Sequence, residues 1–154
     1  MSQQSNSGRS YRLSVTEHGG TPDPDACRLT EGRIREVVDE FYRRAQRDDQ
    51  LGPVFEAHVE SWDRHLAKMV DFWSAAMLRT GRYSGNPIQR HREIPELTLE
   101  HFDRWVALFE ATVHDRCEAD EAEAFLVRVR KMHYAMTQLL RLSDDATRPG
   151  IVAG

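Results

Sequence analysis

The stretch from Trp62 to Ala76 has the periodicity of an amphipathic helix and carries a histidine among its apolar residues. Six residues recur at spacings of three and four, which places them on one helix face: Trp62, His65, Met69, Phe72, Trp73 and Ala76. His65 therefore points with the apolar side chains. Burying an imidazole without a hydrogen-bond partner costs about 1–3 kcal/mol, so this histidine needs a partner, either in the core or in a bound molecule.

A second histidine, His91, follows after one turn of the chain. The helix is predicted to end at Thr80-Gly81, and Pro87 stands where a short new helix would begin. Two histidines thus flank a single loop. We interpret them as facing opposite sides of a bound planar cofactor. The alternative is that His65 is a satisfied core residue and His91 a loop histidine on the surface.

Two further helices are predicted on either side of this stretch. Thr30 is a candidate N-cap for a helix of about four turns that ends before Leu51-Gly52-Pro53, with Val54-Phe55 in a short turn. Thr98 is placed to cap a helix with an aromatic face that includes Phe102, Trp105 and Phe109.

A last helix is expected from about Asp120, where Asp120 and Glu123 have the spacing of a capping box. No stretch alternates with period two over five or more residues, so the predicted fold class is all-α. Residues 1–27 are rich in Ser, Gln, Gly, Asp and Pro, and we expect a disordered N-terminal arm there. Residues 28–142 form the predicted domain, and residues 143–154 a flexible tail.

Composition narrows the class of protein. The formal net charge is −4, from 25 acidic and 21 basic residues, and no basic block is suited to binding phosphates, so nucleic acid is not an expected partner. No apolar run approaches the length of a membrane span. Cys27 and Cys117 stand far apart and fit no metal motif, which favours reduced thiols and a cytoplasmic location.

Most familiar catalytic and metal motifs are missing from the sequence. None of the seven histidines has a Glu three residues before it, which disfavours a di-iron carboxylate bundle. No HExxH, Cys/His zinc spacing, nucleophile motif or phosphate-binding glycine loop is present. What remains is a helical pocket with aromatic walls and a histidine able to bind a metal axially, a description that fits haem.

The ordered set of motifs resembles the group III truncated haemoglobins of bacteria over residues 34–142. It comprises Glu40-Phe41-Tyr42, Leu51-Gly52-Pro53-Val54-Phe55, Trp62-x-x-His65-Leu66, Phe72-Trp73, Tyr83-Ser84-Gly85-Asn86-Pro87-x-x-x-His91 and Phe102-x-x-Trp105. The resemblance implies a truncated globin fold, a two-over-two helical sandwich with a mostly extended segment before the proximal histidine. It also implies haem b as the cofactor.

The resemblance also implies roles for individual residues. His91 matches the proximal ligand of the iron, and Tyr42, His65 and Trp105 match the distal polar cluster that would act in any catalysis. Phe55 matches the aromatic residue that wedges against the haem, with further pocket or propionate contacts expected from Lys68, Met69, Trp73 and Arg90, and with Arg82 as an alternative to Arg90.

The implied function is binding of dioxygen and other diatomic ligands, such as nitric oxide or carbon monoxide. Three distal donors would slow ligand release, which argues against bulk oxygen transport. Nitric oxide dioxygenase or peroxidase-like turnover would need an electron donor outside the chain. A haem-based sensor and a haem-free helical interaction module remain alternatives. We expect a monomer or weak dimer.

Overall fold

The computed structural model describes residues 29–147, with side-chain surroundings to residue 141. These residues form helices and no strand, in the order α1 (Glu31–Arg47), α2 (Leu51–His58), α3 (Trp62–Leu78), α4 (Pro87–Arg92), α5 (Leu99–Arg116) and α6 (Ala119–Thr147). The all-α prediction is confirmed. α6 continues five residues past the domain boundary expected at residue 142, and the arm predicted for residues 1–27 lies outside the described residues.

The helices pack as two pairs joined across a shared core. α1 packs against α3, and α5 packs against α6. The pairs are joined because α1 also contacts α5 and α3 also contacts α6. This arrangement is the predicted two-over-two sandwich. None of the helices in residues 29–147 is long and apolar enough to cross a membrane.

Local signals placed three of the helix starts correctly. The Thr30 hydroxyl accepts a hydrogen bond from the Arg33 N–H at 3.1 Å and caps α1. This bond satisfies an N–H group of the first turn that has no acceptor within the helix. The Ser61 hydroxyl accepts the Arg64 N–H at the start of α3. Thr98 precedes α5, as predicted.

The prediction of a short turn at Val54-Phe55 is wrong, because both residues lie inside α2. Asp48 Oδ1 accepts the N–H groups of Gln50 and Leu51, each at 3.0 Å, and so starts a new helix. Pro53 falls in the first turn of that helix, where a missing N–H carries no penalty.

Gly52 is required at this junction between α1 and α2. A Cβ atom at this position would lie 2.8 Å from the Gln46 carbonyl oxygen. We expect Gly52→Ala to lower the free energy of unfolding by about 1–3 kcal/mol, measured by urea denaturation. The reason is that the backbone at residue 52 would have to move away from the Gln46 carbonyl. Gly32→Ala is the matched control, since its Cβ would meet only the Thr30 hydroxyl at 3.7 Å. Equal stability of the two variants would contradict this account.

The capping box predicted at Asp120 and Glu123 is wrong, because α6 begins one residue earlier. The Glu118 N–H donates to Glu121 Oε1 at 3.1 Å, so the same three-residue spacing is used two positions upstream. Glu123 instead pairs with Arg130 at 3.0 Å. Glu121 also accepts a hydrogen bond from Arg33 Nε at 3.0 Å, which links α6 to α1.

A buried carboxylate connects α1 to α5. Glu40 lies 2.6 Å from Arg43, 2.8 Å from Arg44 and 3.3 Å from Arg116. Hydrogen bonds from Arg43 and then Arg44 lower the pKa of Glu40 from 4.5 to about 2. The ionised form is therefore favoured by folding.

This shift predicts a pH dependence of stability. Because the pKa of Glu40 is lower in the folded chain, its contribution is present above about pH 4.5 and is lost as the pH falls towards 2. Glu40→Gln should reduce the stability difference between about pH 6 and about pH 3 in urea denaturation. Glu36→Gln, an exposed carboxylate paired with Arg33 on the same helix, should leave that difference unchanged. An identical pH dependence in Glu40→Gln and wild type would contradict the assignment.

Candidate functional site

His65 lies in a cluster of rings contributed by α1, α2 and α3. Its ring centroid is 5.0 Å from that of Tyr42, 5.8 Å from Trp62 and 6.2 Å from Phe55. We call these four residues the ring cluster. The His65 Nε2 atom is buried and has no hydrogen-bond partner in the described residues. An orphaned polar atom of this kind is costly unless a bound group satisfies it.

The electrostatic environment keeps His65 neutral. Burial is the main cause that lowers its pKa, and the positive charge of Lys68 lowers it further. Lys68 lies one turn along α3 on the exposed side. A neutral imidazole either donates or accepts at Nε2, depending on its tautomer.

Tyr42 faces the same cluster from α1. Its side chain is buried, and its ring packs edge-on against Phe55 at 5.5 Å and His65 at 5.0 Å. Burial raises the pKa of the hydroxyl, which therefore stays protonated. The hydroxyl makes no hydrogen bond to the part of the chain that the structure describes, so it is available as a donor.

Trp105 is placed on α5 and reaches the ring cluster through Phe41. Its ring lies 5.2 Å from Phe41, which in turn lies 4.9 Å from Tyr42. The indole also stacks on Phe109 with centroids 5.0 Å apart and an angle of 9°. Tyr42 and His65 are thus in direct contact, whereas Trp105 is one ring removed.

The second histidine has a defined tautomer. His91 Nδ1 lies 2.5 Å from the Pro87 carbonyl oxygen one turn earlier in α4. A carbonyl only accepts, so Nδ1 carries the proton and the neutral ring leaves a lone pair on Nε2. Burial lowers the pKa of His91, which favours this neutral form.

Two contacts, one made by His91 and one by the segment after α4, were not indicated by the sequence. The Phe102 ring lies 5.6 Å from the His91 imidazole, whereas the sequence predicted only that Phe102 lies on the aromatic face of α5. His58 at the end of α2 pairs with Glu96, just beyond α4. That pair spans 38 positions, and no local pattern identifies it.

The remaining predicted site residues divide between the surface and the core. Met69 is half-buried on α3. Trp73 is 2% exposed and stacks on Phe109 at 4.9 Å, so the structure places its ring in the core between α3 and α5. A contact of Met69 or Trp73 with a bound molecule stays a prediction.

The three candidate cations differ in their partners. Lys68 and Arg90 are exposed and form no ion pair with other described residues. Arg82 is held by Glu31 at 2.7 Å and Asp71 at 3.2 Å. Of the alternatives weighed from the sequence, Arg90 is therefore better placed than Arg82 to bind an external anion. Residues 29–147 contain no cluster of His, Cys, Asp and Glu that would hold a metal ion by itself.

Comparison with protein families agrees with this geometry. The model of the bacterial-like globin family matches residues 29–138. The chain belongs to this family. The match covers all of α1 to α5 and most of α6, including every residue of the ring cluster and His91.

Individual globins of known type are similar to this one. The Group 3 truncated hemoglobin ctb of Campylobacter jejuni is 31% identical over 90 residues, which cover 56% of this chain and 71% of that protein. The crystal structure of the group III truncated hemoglobin from Campylobacter jejuni superposes with a TM-score of 0.70 and 26% identity, over 73% of this chain and 92% of that one. The resemblance to group III seen in the motifs is confirmed.

Family membership supports a haem-binding globin, and the residues present fit that cofactor. A haem iron bound by histidine needs a neutral imidazole with a free nitrogen, which His91 Nε2 provides. The His65 Nε2 atom has no hydrogen-bond partner among the described residues. Several apolar side chains of α2, α3 and α5 are only half-buried, which leaves apolar surface for a bound molecule: Phe55, Trp62, Leu66, Met69, Phe72, Phe102, Trp105 and Val106.

Proposed function

We propose that this globin binds haem b through His91 Nε2 and holds a diatomic ligand beside His65, Tyr42 and Trp105. The observation that carries the proposal is the hydrogen bond from His91 Nδ1 to the Pro87 carbonyl. It orients the ring and fixes the tautomer that a metal ligand requires. The haem iron supplies the coordination site for the gas.

The polar side chains of Tyr42, His65 and Trp105 support ligand retention. The Tyr42 hydroxyl stays protonated because burial raises its pKa, and His65 stays neutral because burial lowers its pKa. Both groups therefore offer hydrogen bonds without a net charge, in a place where few water molecules compete. Trp105 adds an indole N–H that is donor-only.

The flanking residues support binding of the cofactor itself. Phe55 packs edge-on against Tyr42 and borders the region that a planar macrocycle would occupy. Met69 would line that region, and Trp73 would support it from the core. Lys68 and Arg90 are exposed cations that pair with no other residue the structure describes, and they are suited to the two propionates of haem b.

Titration of the haem-free protein with haemin tests the proposal. We expect saturation at one haem per chain, with a Soret band that moves when the reduced protein takes up carbon monoxide. A chain that binds no haem under these conditions would favour a haem-free helical interaction module. Retention of haem without ligand binding would favour a redox role.

Redox turnover is a second candidate, favoured by the unsatisfied Nε2 atom of His65. That nitrogen is able to accept or donate a proton close to Tyr42. Nitric oxide dioxygenation or peroxide cleavage would also need an external electron donor. Stoichiometric nitrate after nitric oxide is added to the reduced, air-equilibrated protein would support dioxygenation, and its absence would leave ligand storage or sensing.

A further inference from the structure

The loop before α4 is bound to α1 and α3 by one arginine side chain. Arg82 donates to both carboxylate oxygens of Glu31, at 2.7 and 3.2 Å. Its Nη2 also donates to the Ser74 hydroxyl at 2.8 Å, and its Nε lies 3.2 Å from Asp71. A single side chain of the loop thus contacts the first turn of α1 and the second half of α3.

These contacts form a more specific link than an ordinary surface ion pair. The two parallel hydrogen bonds to Glu31 fix the plane of the guanidinium. Ser74 is completely buried, and its hydroxyl also lies 3.2 Å from that of Thr80 in the same loop. The Glu31 hydrogen bond raises the pKa of Arg82, and Arg82 lowers the pKa of Glu31.

Helix α4 depends on such links because it packs little by itself. It has six residues, none of them fully buried, and it packs extensively against no other described helix. A helix this short is not stable alone in water. On the upstream side, the connection to α3 includes Arg82, the Thr80 hydroxyl near Ser74, and Tyr83, whose ring lies 5.2 Å from Phe72.

We propose that Arg82 is a positioning residue for His91. By binding Glu31, Asp71 and Ser74, Arg82 sets where the loop ends and α4 begins, and so where His91 Nε2 lies. The link of Arg82 to α1 and α3 stands on the contacts above, whereas its meaning for the iron rests on the proposed function of His91.

Two Arg82 variants and a matched control test this proposal in the haem-loaded protein. Arg82→Met removes the charge but keeps a long side chain, and Arg82→Lys keeps the charge without the paired hydrogen bonds. Arg79→Met is the control, since Arg79 is exposed in the same loop and pairs with no described residue. The readouts are the iron–histidine stretching band in resonance Raman spectra and the rate of haem transfer to excess apomyoglobin.

We expect Arg82→Met to shift or broaden the stretching band and to speed haem loss about tenfold. Arg82→Lys should fall between that variant and wild type, and Arg79→Met should match wild type. Adding Glu31→Gln to Arg82→Met should cause little further change, because both remove the same link. An unchanged band and rate in Arg82→Met would overturn the proposal, as would lower thermal stability with an unchanged band.

Hydrogen exchange separates this proposal from the proposed function. In the haem-free chain, Arg82→Met should speed amide exchange in residues 80–92 but not in α5, relative to Arg79→Met. If wild type bound no haem, the proposed function would fail, and this measurement would still test the link. Unchanged exchange in residues 80–92 would refute it.

Discussion

His91→Ala should purify largely without haem. The substitution removes the nitrogen that would bind the iron, and even changes in groups that only orient a metal ligand cost about 10–100-fold in affinity. We expect the ratio of Soret absorbance to protein absorbance to fall at least about tenfold. The pyridine haemochrome assay would measure the same loss directly.

The control for this variant is His114→Ala. His114 is exposed on α5, and its closest acidic neighbour, Glu110, lies 3.7 Å away, so its removal should not affect haem content. Free imidazole added to His91→Ala should restore part of the binding, because it fills the space that the side chain leaves. Wild-type haem content in His91→Ala would reject the assignment of the ligand.

Tyr42→Phe and Trp105→Phe should each speed the release of dioxygen. Each change removes one hydrogen-bond donor from a largely dry site, where such a bond is worth about 1–3 kcal/mol. The expected rise in the dissociation rate is therefore about 5–150-fold. Stopped-flow displacement of dioxygen by carbon monoxide measures it.

The geometry also predicts how the two donors combine. Tyr42 contacts His65 directly, at 5.0 Å between centroids, whereas Trp105 reaches the cluster only through Phe41. Tyr42→Phe should therefore be non-additive with His65→Leu, and Trp105→Phe closer to additive. Tyr134→Phe is the control, because Tyr134 is 67% exposed on α6. Unchanged release rates in both Tyr42→Phe and Trp105→Phe would remove these residues from ligand retention.

Features encoded by neighbouring residues could be predicted from the sequence. The start of α1 at Thr30 and the face of α3 that carries His65 depend on caps and periodicity within one or two turns. Pro87 marked the start of α4 for the same reason. Residues that the family resemblance named, such as Tyr42 and His65, do meet in the structure.

Features that depend on competition between local signals were predicted less well. Pro53 is compatible both with the end of a helix and with the first turn of a new one. The second outcome is observed because the Asp48 carboxylate accepts the N–H groups of Gln50 and Leu51 and so starts α2. Two pairs with the three-residue spacing of a capping box overlap at the start of α6, and only Glu118 and Glu121 form a hydrogen bond. Long-range pairs such as Arg82 with Glu31 leave no trace in the periodicity, since they depend on how distant segments pack.

The most direct test of the central claim is a visible absorption spectrum of the purified protein after haem is supplied. The measurement covers the ferric form, the dithionite-reduced form and the reduced form with carbon monoxide. The account predicts a Soret band with the features of histidine-bound haem and a distinct carbon monoxide complex. A protein that stays colourless would contradict it, and would mean that His65 and His91 have structural roles only.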